Sequence, residues 1–290
     1  MQTLLHQLLS GFAMGAIYAS VALALVMIFK ATHQVNFAQG ELAVCSTYVA
    51  ASLITAGVPY WIAFALTVVI SFVAGVVIER AVMRQFRHAS VLTQVIVFVG
   101  FLILFNSLTG WVFGTMTRPF PSPFADNAWY GSRYLSPHEI GLIGVTLVVL
   151  AIVFVFFRYT RLGLTMRAAA ENPASSRLVG IRVGWMLALG WGLASTLGAV
   201  AGVMAAPRLF LEPNMMSGVL LYGFAAALLG GIDNPWGAPI GGFIVGVLEN
   251  VAGAYLVGSQ LKLPLALFVI ILVLVLRPSG LFGRTVVVRV

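Results

Sequence analysis

The chain alternates long apolar runs with short polar segments along nearly its whole length. Each run approaches the ~20 residues that a helix needs to cross ~30 Å of hydrocarbon. The runs are continuous, whereas the strands of a membrane β-barrel would alternate apolar and polar positions over ~10 residues. The runs cover residues 8–29, 37–56, 61–79, 91–113, 139–157, 184–206, 216–232, 237–257 and 263–276. The pattern predicts an all-α fold, a polytopic transmembrane helical bundle of about eight to nine spans in one domain covering residues 1–290.

Composition supports the membrane prediction. Hydrophobic residues make up 61% of the chain and charged residues 8%, whereas about 25% of a soluble domain is charged. The net charge of +8 would suit nucleic acid in a soluble protein. In a membrane chain basic residues record orientation instead, so we expect membrane lipid and no nucleic acid as a partner. Cys45 is the only cysteine, which excludes an intrachain disulfide and a cysteine-rich metal site.

The distribution of basic residues predicts the orientation. With nine helices and the N-terminus outside, 12 of the 16 Lys and Arg residues fall on one side and 4 on the other. The positive-inside rule makes the richer side cytoplasmic. We therefore expect the C-terminus in the cytoplasm. Because Lys30 is the first charged residue, the first helix lacks the basic start of a cleaved signal and is expected to stay.

Two connections between the predicted helices are long. Residues 114–137 form a loop rich in Pro and Ser on the outside, either a docking surface or a plain connection. Residues 158–182 lie on the cytoplasmic side, where Asn172 suits an N-cap, Pro173 the first helical position and Gly180 a left-handed C-terminus. The charged residues of this segment are Arg158, Arg161, Arg167, Glu171, Arg177 and Arg182. These features favour a docking element outside the membrane, and a basic loop that only meets anionic lipid is the alternative.

Polar residues follow one face of the second predicted helix. Asn36 and Gln39 have the spacing of a capping box at its start. The residues of the stripe recur at spacings of 4, 3, 4 and 3, and they are Glu41, Cys45, Tyr48, Ser52 and Thr55. Such a stripe avoids lipid, and it either lines a water-filled path or bonds to neighbouring helices.

Two further candidates lie late in the chain. Glu249 shares a helical face with Gly242, Gly246 and Gly253, so we expect it to point into the bundle, either as a functional group or in a structural hydrogen bond. Asp233 lies in the Gly- and Pro-rich segment 228–242. That segment reads equally as a pair of broken helices facing a cavity or as a tight turn.

Catalytic signatures are missing from the sequence. Neither Lys30 nor Lys262 follows the glycine that a P-loop requires, and His138-Glu139 lacks the second His of a zinc helix. There is no G-x-S-x-G nucleophile motif. We expect no catalytic residue and no metal site in this chain.

These motifs together resemble those of the membrane permease subunits of bacterial branched-chain amino acid ABC importers, specifically the H-type subunits of the Liv systems. The resemblance covers nearly the whole chain, and its specificity lies in the order and spacing of the motifs. The motifs are residues 15–19 (GAIYA), 36–41 (NFAQGE), 158–168 (RYTRLGLTMRA) leading to 179–181, 229–242 (LGGIDNPWGAPIGG) with Glu249, and 276–283 (LRPSGLFG). Two departures are Gln39, where such permeases commonly carry His, and Asp233-Asn234, where a Gly-Ser-like pair is usual.

The resemblance implies a transport subunit that is not itself an enzyme. It implies a second related permease, two cytoplasmic ATPase subunits that bind ATP and Mg, and a periplasmic substrate-binding protein, assembled on the bacterial inner membrane. Residues 114–137 then form a periplasmic loop and residues 158–182 an ATPase-coupling loop. The candidate coupling residues are Arg161, Arg167, Glu171, Asn172, Pro173, Arg177 and Gly180. The candidate residues of the translocation path are Asn36, Gln39, Glu41, Tyr48, Ser52, Asp233 and Glu249.

The predicted buried carboxylates, Glu41 and Glu249, are also compatible with a second class of function. A stand-alone ion-coupled transporter or channel for a small polar solute would use Glu41 and Glu249 as coupling groups. The family expectation for the substrate is leucine, isoleucine or valine, whereas related systems import amides, urea or aromatic acids.

Overall fold

The computed structural model describes residues 2–32, 34–87, 89–124, 135–258 and 261–283. Within these ranges the regular structure is helical, and an isolated antiparallel bridge joins Arg118 to Leu211. Two π-helical turns, Glu79–Met83 and Gly253–Val257, continue α3 and α11. The helices are α1 (Gln2–Thr32), α2 (Gln39–Thr55), α3 (Tyr60–Ile78), α4 (Arg84–Phe86), α5 (Val91–Phe113), α6 (Pro137–Tyr159), α7 (Arg161–Glu171), α8 (Pro173–Leu178), α9 (Val183–Leu209), α10 (Ser217–Gly230), α11 (Gly237–Ala252) and α12 (Lys262–Leu276).

Each predicted apolar run lies mainly within one of these helices. Six helical stretches in the described part of the chain are long and apolar enough to cross a membrane. They are Thr3–Lys30, Tyr60–Phe86, Val91–Phe113, Pro137–Tyr159, Val183–Leu209 and Gly237–Leu256. Helices α2, α10 and α12 have 17, 14 and 15 residues, fewer than the ~20 of a typical span. The all-α membrane fold is confirmed, while the count of eight to nine spans and the orientation stay predictions.

The chain forms two compact units. Unit 1 comprises Met1–Val26, Ser122–Gly144 and Gly218–Val290, and unit 2 comprises Met27–Pro121 and Val145–Ser217. Helices α1 and α6 each contribute residues to both units. The prediction of a single permease domain concerns the whole chain and stays a prediction.

In unit 1, α1 and α11 approach each other through glycines. A Cβ on Gly11 would lie 2.9 Å from the carbonyl oxygen of Gly246, and a Cβ on Gly15 would lie 2.8 Å from the Cα of Phe243. On the opposite helix a Cβ on Gly242 would overlap the backbone of Ala19. Small residues permit this approach of backbones, on which helix association in lipid depends. The glycines of α1 and α11 therefore form a close-packing face.

The segment between α10 and α11 is a tight turn. Gly231 has a φ of 102°, which glycine adopts without the steric cost that other residues bear. The Leu281 amide donates to the Leu229 carbonyl over 2.8 Å, and Asn234 Nδ2 donates to the Phe282 carbonyl over 2.9 Å. The turn is thus tied to the chain that follows α12, which supports the turn reading of residues 228–242 over the pair of broken helices.

In unit 2, the first turn of α2 lies beside the middle part of α9. Gln39 Nε2 donates to the Ala194 carbonyl over 2.9 Å. Ala194 lies 11 residues after Val183 (194 − 183), or about 16 Å along α9. Since α9 and α5 have 27 and 23 residues, enough to cross ~30 Å of hydrocarbon, α2 starts near mid-depth of a bilayer spanned by these two helices.

The start of α2 differs from the predicted capping box. The N-cap is Ala38, which has no side-chain capping bond. Asn36 Oδ1 instead accepts from the Ala38 amide over 3.0 Å, and Asn36 Nδ2 donates to Gln39 Oε1 over 3.4 Å. Asn36 therefore shapes the turn before the helix, because its short side chain bonds the backbone two residues on.

The segment between α6 and α9 carries two short helices. Asn172 caps α8 by accepting from the Ser175 amide over 3.0 Å, and Pro173 is its first residue. After α8, Gly180 has a φ of 83° and the Ile181 amide reaches back to the Ser176 carbonyl over 3.0 Å, as in a Schellman closure. The predicted start and end of this helix are confirmed, and α7 is an additional helix that the sequence analysis did not predict.

Candidate functional site

A cleft of about 260 Å³ opens in unit 2 between the last turns of α5 and the segment that follows α9. Its lining residues are Asn106, Ser107, Gly110, Thr115, Glu212, Pro213 and Asn214. Asn106 lies 7 residues before the end of α5 at Phe113 (113 − 106), or about 10 Å, so the segment after α9 turns back into the unit to reach it. Non-helical backbone at membrane depth is tolerated where protein buries it or where it lines a water-filled cavity.

Three oxygens converge on the side-chain amide of Asn106. Its Nδ2 lies 2.9 Å from Asn214 Oδ1, 3.2 Å from Glu41 Oε2 and 3.4 Å from the Pro213 carbonyl oxygen. An amide nitrogen carries two N–H donors, so three acceptors share two hydrogens. This network assigns the nitrogen of Asn106 to the three oxygens and leaves its Oδ1 on the other side of the amide.

The cleft and its surroundings carry two carboxylates. Glu41 is 6% exposed, and no basic residue in the described ranges forms a salt bridge with it. Glu212 lines the cleft and accepts from Thr117 Oγ1 over 2.9 Å. Arg118 donates to the Phe113 carbonyl over 2.7 Å. Ionisable groups at membrane depth are costly and commonly mark solute pathways.

Tyr48 stands next to this region with an unsatisfied hydroxyl. Its ring stacks on Phe113 with centroids 4.7 Å apart, and the residue is 2% exposed. Its hydroxyl has no hydrogen-bond partner among the residues that the structure describes. Phe113 is the last residue of α5 and lies three residues (113 − 110) after Gly110 of the cleft lining. Buried polar groups are normally paired, so this hydroxyl indicates a partner from outside the described chain.

The rest of the predicted stripe on α2 bonds to protein. Cys45 Sγ lies 3.0 Å from Thr109 Oγ1, and Ser52 Oγ donates to the Tyr48 carbonyl of its own helix over 2.9 Å. Gln39 ties α2 to α9, and Asn36 is buried in the preceding turn. The stripe thus contacts α5 at Glu41, Cys45 and Tyr48, whereas Ser52 and Thr55 donate to carbonyls of their own helix.

The two predicted path residues of unit 1 have different surroundings. Glu249 Oε2 accepts from the Tyr18 hydroxyl over 2.6 Å, and Tyr18 also stacks on Tyr222 with centroids 5.0 Å apart. Asp233 is exposed at the tip of the turn between α10 and α11. Neither residue belongs to the cleft of unit 2, and their place in a translocation path stays a prediction.

The predicted coupling residues lie on an exposed surface. The side chains of Arg161, Arg167 and Arg177 are exposed on α7 and α8, and Glu171, Asn172, Pro173 and Gly180 are exposed beside them. Leu178 and Val179 are 89% and 76% exposed. We name Leu178, Val179 and the three arginines the coupling surface. Adjacent apolar and basic groups of this kind suit a protein partner.

Sequence reasoning missed Asn106, Glu212 and Asn214. One signal was present: the polar residues Glu212-Pro213-Asn214 interrupt the apolar pattern between α9 and α10, as expected of a broken segment lining a cavity. It also missed the buried Glu79, which forms a salt bridge with Arg87, while Arg80 lies 3.7 Å above the centre of the Trp185 ring. In the described residues no group of three or more His, Cys, Asp or Glu side chains is arranged to hold a metal ion.

Comparisons with known proteins find a family model that matches most of the chain and relatives that match it over nearly its full length. The model of a family described as "Branched-chain amino acid transport system / permease component" matches residues 7–276. The high-affinity branched-chain amino acid transport system permease protein LivH of Escherichia coli (strain K12) is 30% identical, over 99% of this chain and 97% of its own length. The permease protein BraD of the corresponding Pseudomonas aeruginosa system is also 30% identical, over 99% and 98%.

A solved structure shares the fold. A chain of PsaBC from Streptococcus pneumoniae in complex with Fab matches with a TM-score of 0.50 and 13% identity, over 91% of this chain and 88% of that chain. At this identity the match concerns the fold alone.

Proposed function

Because this chain belongs to the branched-chain amino acid transport system permease family, we propose that it is the transmembrane permease subunit of an ABC importer for branched-chain or related hydrophobic amino acids. The observation that carries the proposal is the family match over residues 7–276. The relatives LivH and BraD are permeases of branched-chain amino acid transport systems, and this chain matches almost their whole length. The chain supplies a passage and not a reaction.

The energy for transport comes from partner subunits. Two cytoplasmic ATPase subunits bind ATP and Mg, a second related permease completes the passage, and a periplasmic binding protein delivers the amino acid across the inner membrane. ATP binding closes the ATPase pair and shifts the permeases between inward-open and outward-open states. Such a shift requires that ATP bind one state more tightly than the other.

The coupling surface receives the ATPase subunits. Leu178 and Val179 are almost fully exposed, and burying such a side chain against a partner contributes about 1.5–3 kcal/mol. The flanking Arg161, Arg167 and Arg177 are exposed and give the surface charge that steers an acidic partner. Helices α7 and α8 therefore transmit the motion of the ATPases to α6 and α9.

Reconstitution in liposomes tests the proposed function. The permease with its partner permease, ATPase subunits and binding protein should accumulate leucine when ATP is supplied, and should stop when ATP is withdrawn. Leucine uptake by this chain alone, driven by a proton or sodium gradient, would overturn the proposal in favour of an ion-coupled transporter.

A surface variant tests the coupling surface. The double change Leu178→Ser and Val179→Ser should lower co-purification of the ATPase subunits about tenfold or more, because the apolar contact is lost. Ser175→Ala on the same short helix is the matched control and should leave it unchanged. Wild-type amounts of ATPase with the double variant would show that these residues do not form the docking site.

A further inference from the structure

The cleft of unit 2 presents hydrogen-bond acceptors to a solute. Its lining includes Glu212, Pro213 and Asn214, which carry a carboxylate, a backbone carbonyl and a side-chain amide. Asn106 Nδ2 is engaged by three oxygens, so its Oδ1, which accepts no hydrogen bond from the described residues, is left for a donor in the cleft. A carboxylate oxygen and a carbonyl oxygen each accept more than one hydrogen bond. Asn106 donates to Pro213 and Asn214, and Thr117 donates to Glu212. These oxygens can therefore each accept a further hydrogen bond.

The charge of the site is complementary to a cation. Glu212 lines the cleft, and Glu41 lies one hydrogen bond behind the lining through Asn106. Neither carboxylate has a salt-bridge partner within the part of the chain that the structure describes. Arg118, whose charge also reaches this region, directs its guanidinium to the Phe113 carbonyl.

Tyr48 is an independent sign that something binds here. Its hydroxyl is buried without a hydrogen-bond partner from the described chain, and its ring stacks on Phe113, the last residue of α5. An unpaired buried hydroxyl is destabilising, and its cost is removed when a solute or an ordered water supplies the partner. The carboxylate and the unused oxygens belong to residues that line the cleft, and the hydroxyl belongs to a residue that packs against Phe113 at the end of the same helix, α5.

We propose that this cleft binds the α-ammonium group of the transported amino acid, through Glu212, Asn214, the Pro213 carbonyl and Asn106 Oδ1. An ammonium group carries three N–H donors and a positive charge, which matches a site of acceptors with surplus negative charge. Glu41 is a positioning residue, because it holds the nitrogen of Asn106 and so turns the Asn106 oxygen to the solute. The inference rests on the proposed function and names the group that the permease recognises.

The site selects among small solutes by charge. A solute with an ammonium group gains charge-assisted hydrogen bonds, which are stronger than neutral ones. A carboxylic acid without an amine is repelled by Glu212 and Glu41, and a neutral amide lacks the charge. The permease therefore adds selection for amino acids to that of the binding protein.

Glu212→Gln is the main test. Glutamine has the shape of glutamate and keeps an acceptor for Thr117, so the fold should be retained. In the complete reconstituted transporter, leucine uptake per ATP hydrolysed should fall about tenfold or more, the effect of losing a hydrogen bond to a charged group. Glu212→Asp should restore much of it. The matched control is Ser46→Ala. It removes from another part of α2 a buried hydroxyl that accepts from Ser71 of α3, and its uptake per ATP should stay within about twofold of wild type.

Competition identifies the recognised group. Labelled leucine is bound to the detergent-purified complex without the binding protein, and isopentylamine, 4-methylpentanoate and sodium ions are added as competitors. The amine should displace leucine, whereas the acid and sodium should not. Glu41→Ala, which removes the acceptor for Asn106 Nδ2, should weaken binding of the amine about tenfold, and Glu41→Gln, which keeps an acceptor, should restore much of it. If this complex retains no leucine, the leucine uptake per ATP hydrolysed by Glu212→Gln decides whether the ammonium site exists.

The outcomes separate the two proposals. Absence of ATP-driven uptake by the wild type contradicts the proposed function itself. Uptake by the wild type together with an unchanged uptake ratio for Glu212→Gln overturns only the ammonium site. Displacement of leucine by the acid as well as by the amine, or by sodium alone, overturns it too.

Discussion

The glycine-packed face of unit 1 and the cleft of unit 2 both hold a carboxylate within apolar helices, but they treat it differently. In unit 1, Glu249 accepts a 2.6 Å hydrogen bond from Tyr18, next to helices whose backbones touch through Gly15 and Gly246. In unit 2, Glu41 shares one amide with two other oxygens, behind an open cleft of about 260 Å³.

The difference lies in the balance of donors and space. Around Glu249 the Tyr18 hydroxyl donates directly to the carboxylate, beside helices that pack backbone against backbone. Around Glu41 three acceptors share two hydrogens, and a cavity adjoins them. Buried polar networks that are only partly satisfied are costly, so the unit 2 network is the better candidate for a site that a ligand completes.

The largest effect on stability is expected from disrupting the glycine packing between α1 and α11 in unit 1. Gly242→Val places a branched side chain on the backbone of Ala19, and we expect it to cost about 3 kcal/mol or more, at the upper end of overpacking effects. Gly144→Val is the control, because a Cβ there meets no atom within 4 Å. Thermal unfolding in detergent should show a large drop for the first variant and a small change for the second. Equal melting temperatures would refute the close packing of unit 1.

A smaller effect is expected from removing the shared donor of unit 2. Asn106→Ala leaves the buried Glu41 without its amide, and a buried charged acceptor without a donor costs about 1–3 kcal/mol or more. Leucine uptake per ATP should also fall, since Asn106 Oδ1 is lost from the cleft. The measurement is uptake alongside thermal unfolding at matched protein amounts. An uptake ratio equal to that of wild type would mean that the cleft is not on the path.

The smallest effect is expected from a matched pair of tyrosines. Tyr18→Phe removes the donor to Glu249 and should cost about 1–3 kcal/mol of stability. Tyr48→Phe removes a hydroxyl without a partner in the described chain, so it should leave stability unchanged or raise it by up to about 1 kcal/mol, while lowering uptake. Thermal unfolding of both variants distinguishes them. A larger loss of stability for Tyr48→Phe than for Tyr18→Phe would reverse the comparison.

Much of the fold follows from local properties of the chain. The apolar runs predicted helices at nine places because the length and hydropathy of a segment decide whether it becomes a helix in lipid. The ends of α8 were predicted because Asn172, Pro173 and Gly180 act on backbone groups within a few residues of themselves.

The candidate site depended on contacts that no local rule contains. Asn106 meets Asn214 across 108 residues and Glu41 across 65. These contacts exist because α2 begins partway along α9 and because the chain after α9 turns back towards α5. For the same reason the sequence left open whether the stripe on α2 lines a path, and whether residues 228–242 form a turn. The sequence by itself determined that helices form, where α8 begins and ends, and to which family the chain belongs. Only the tertiary structure decided which carboxylate is paired and which lies beside open space, because that depends on the distances between helices.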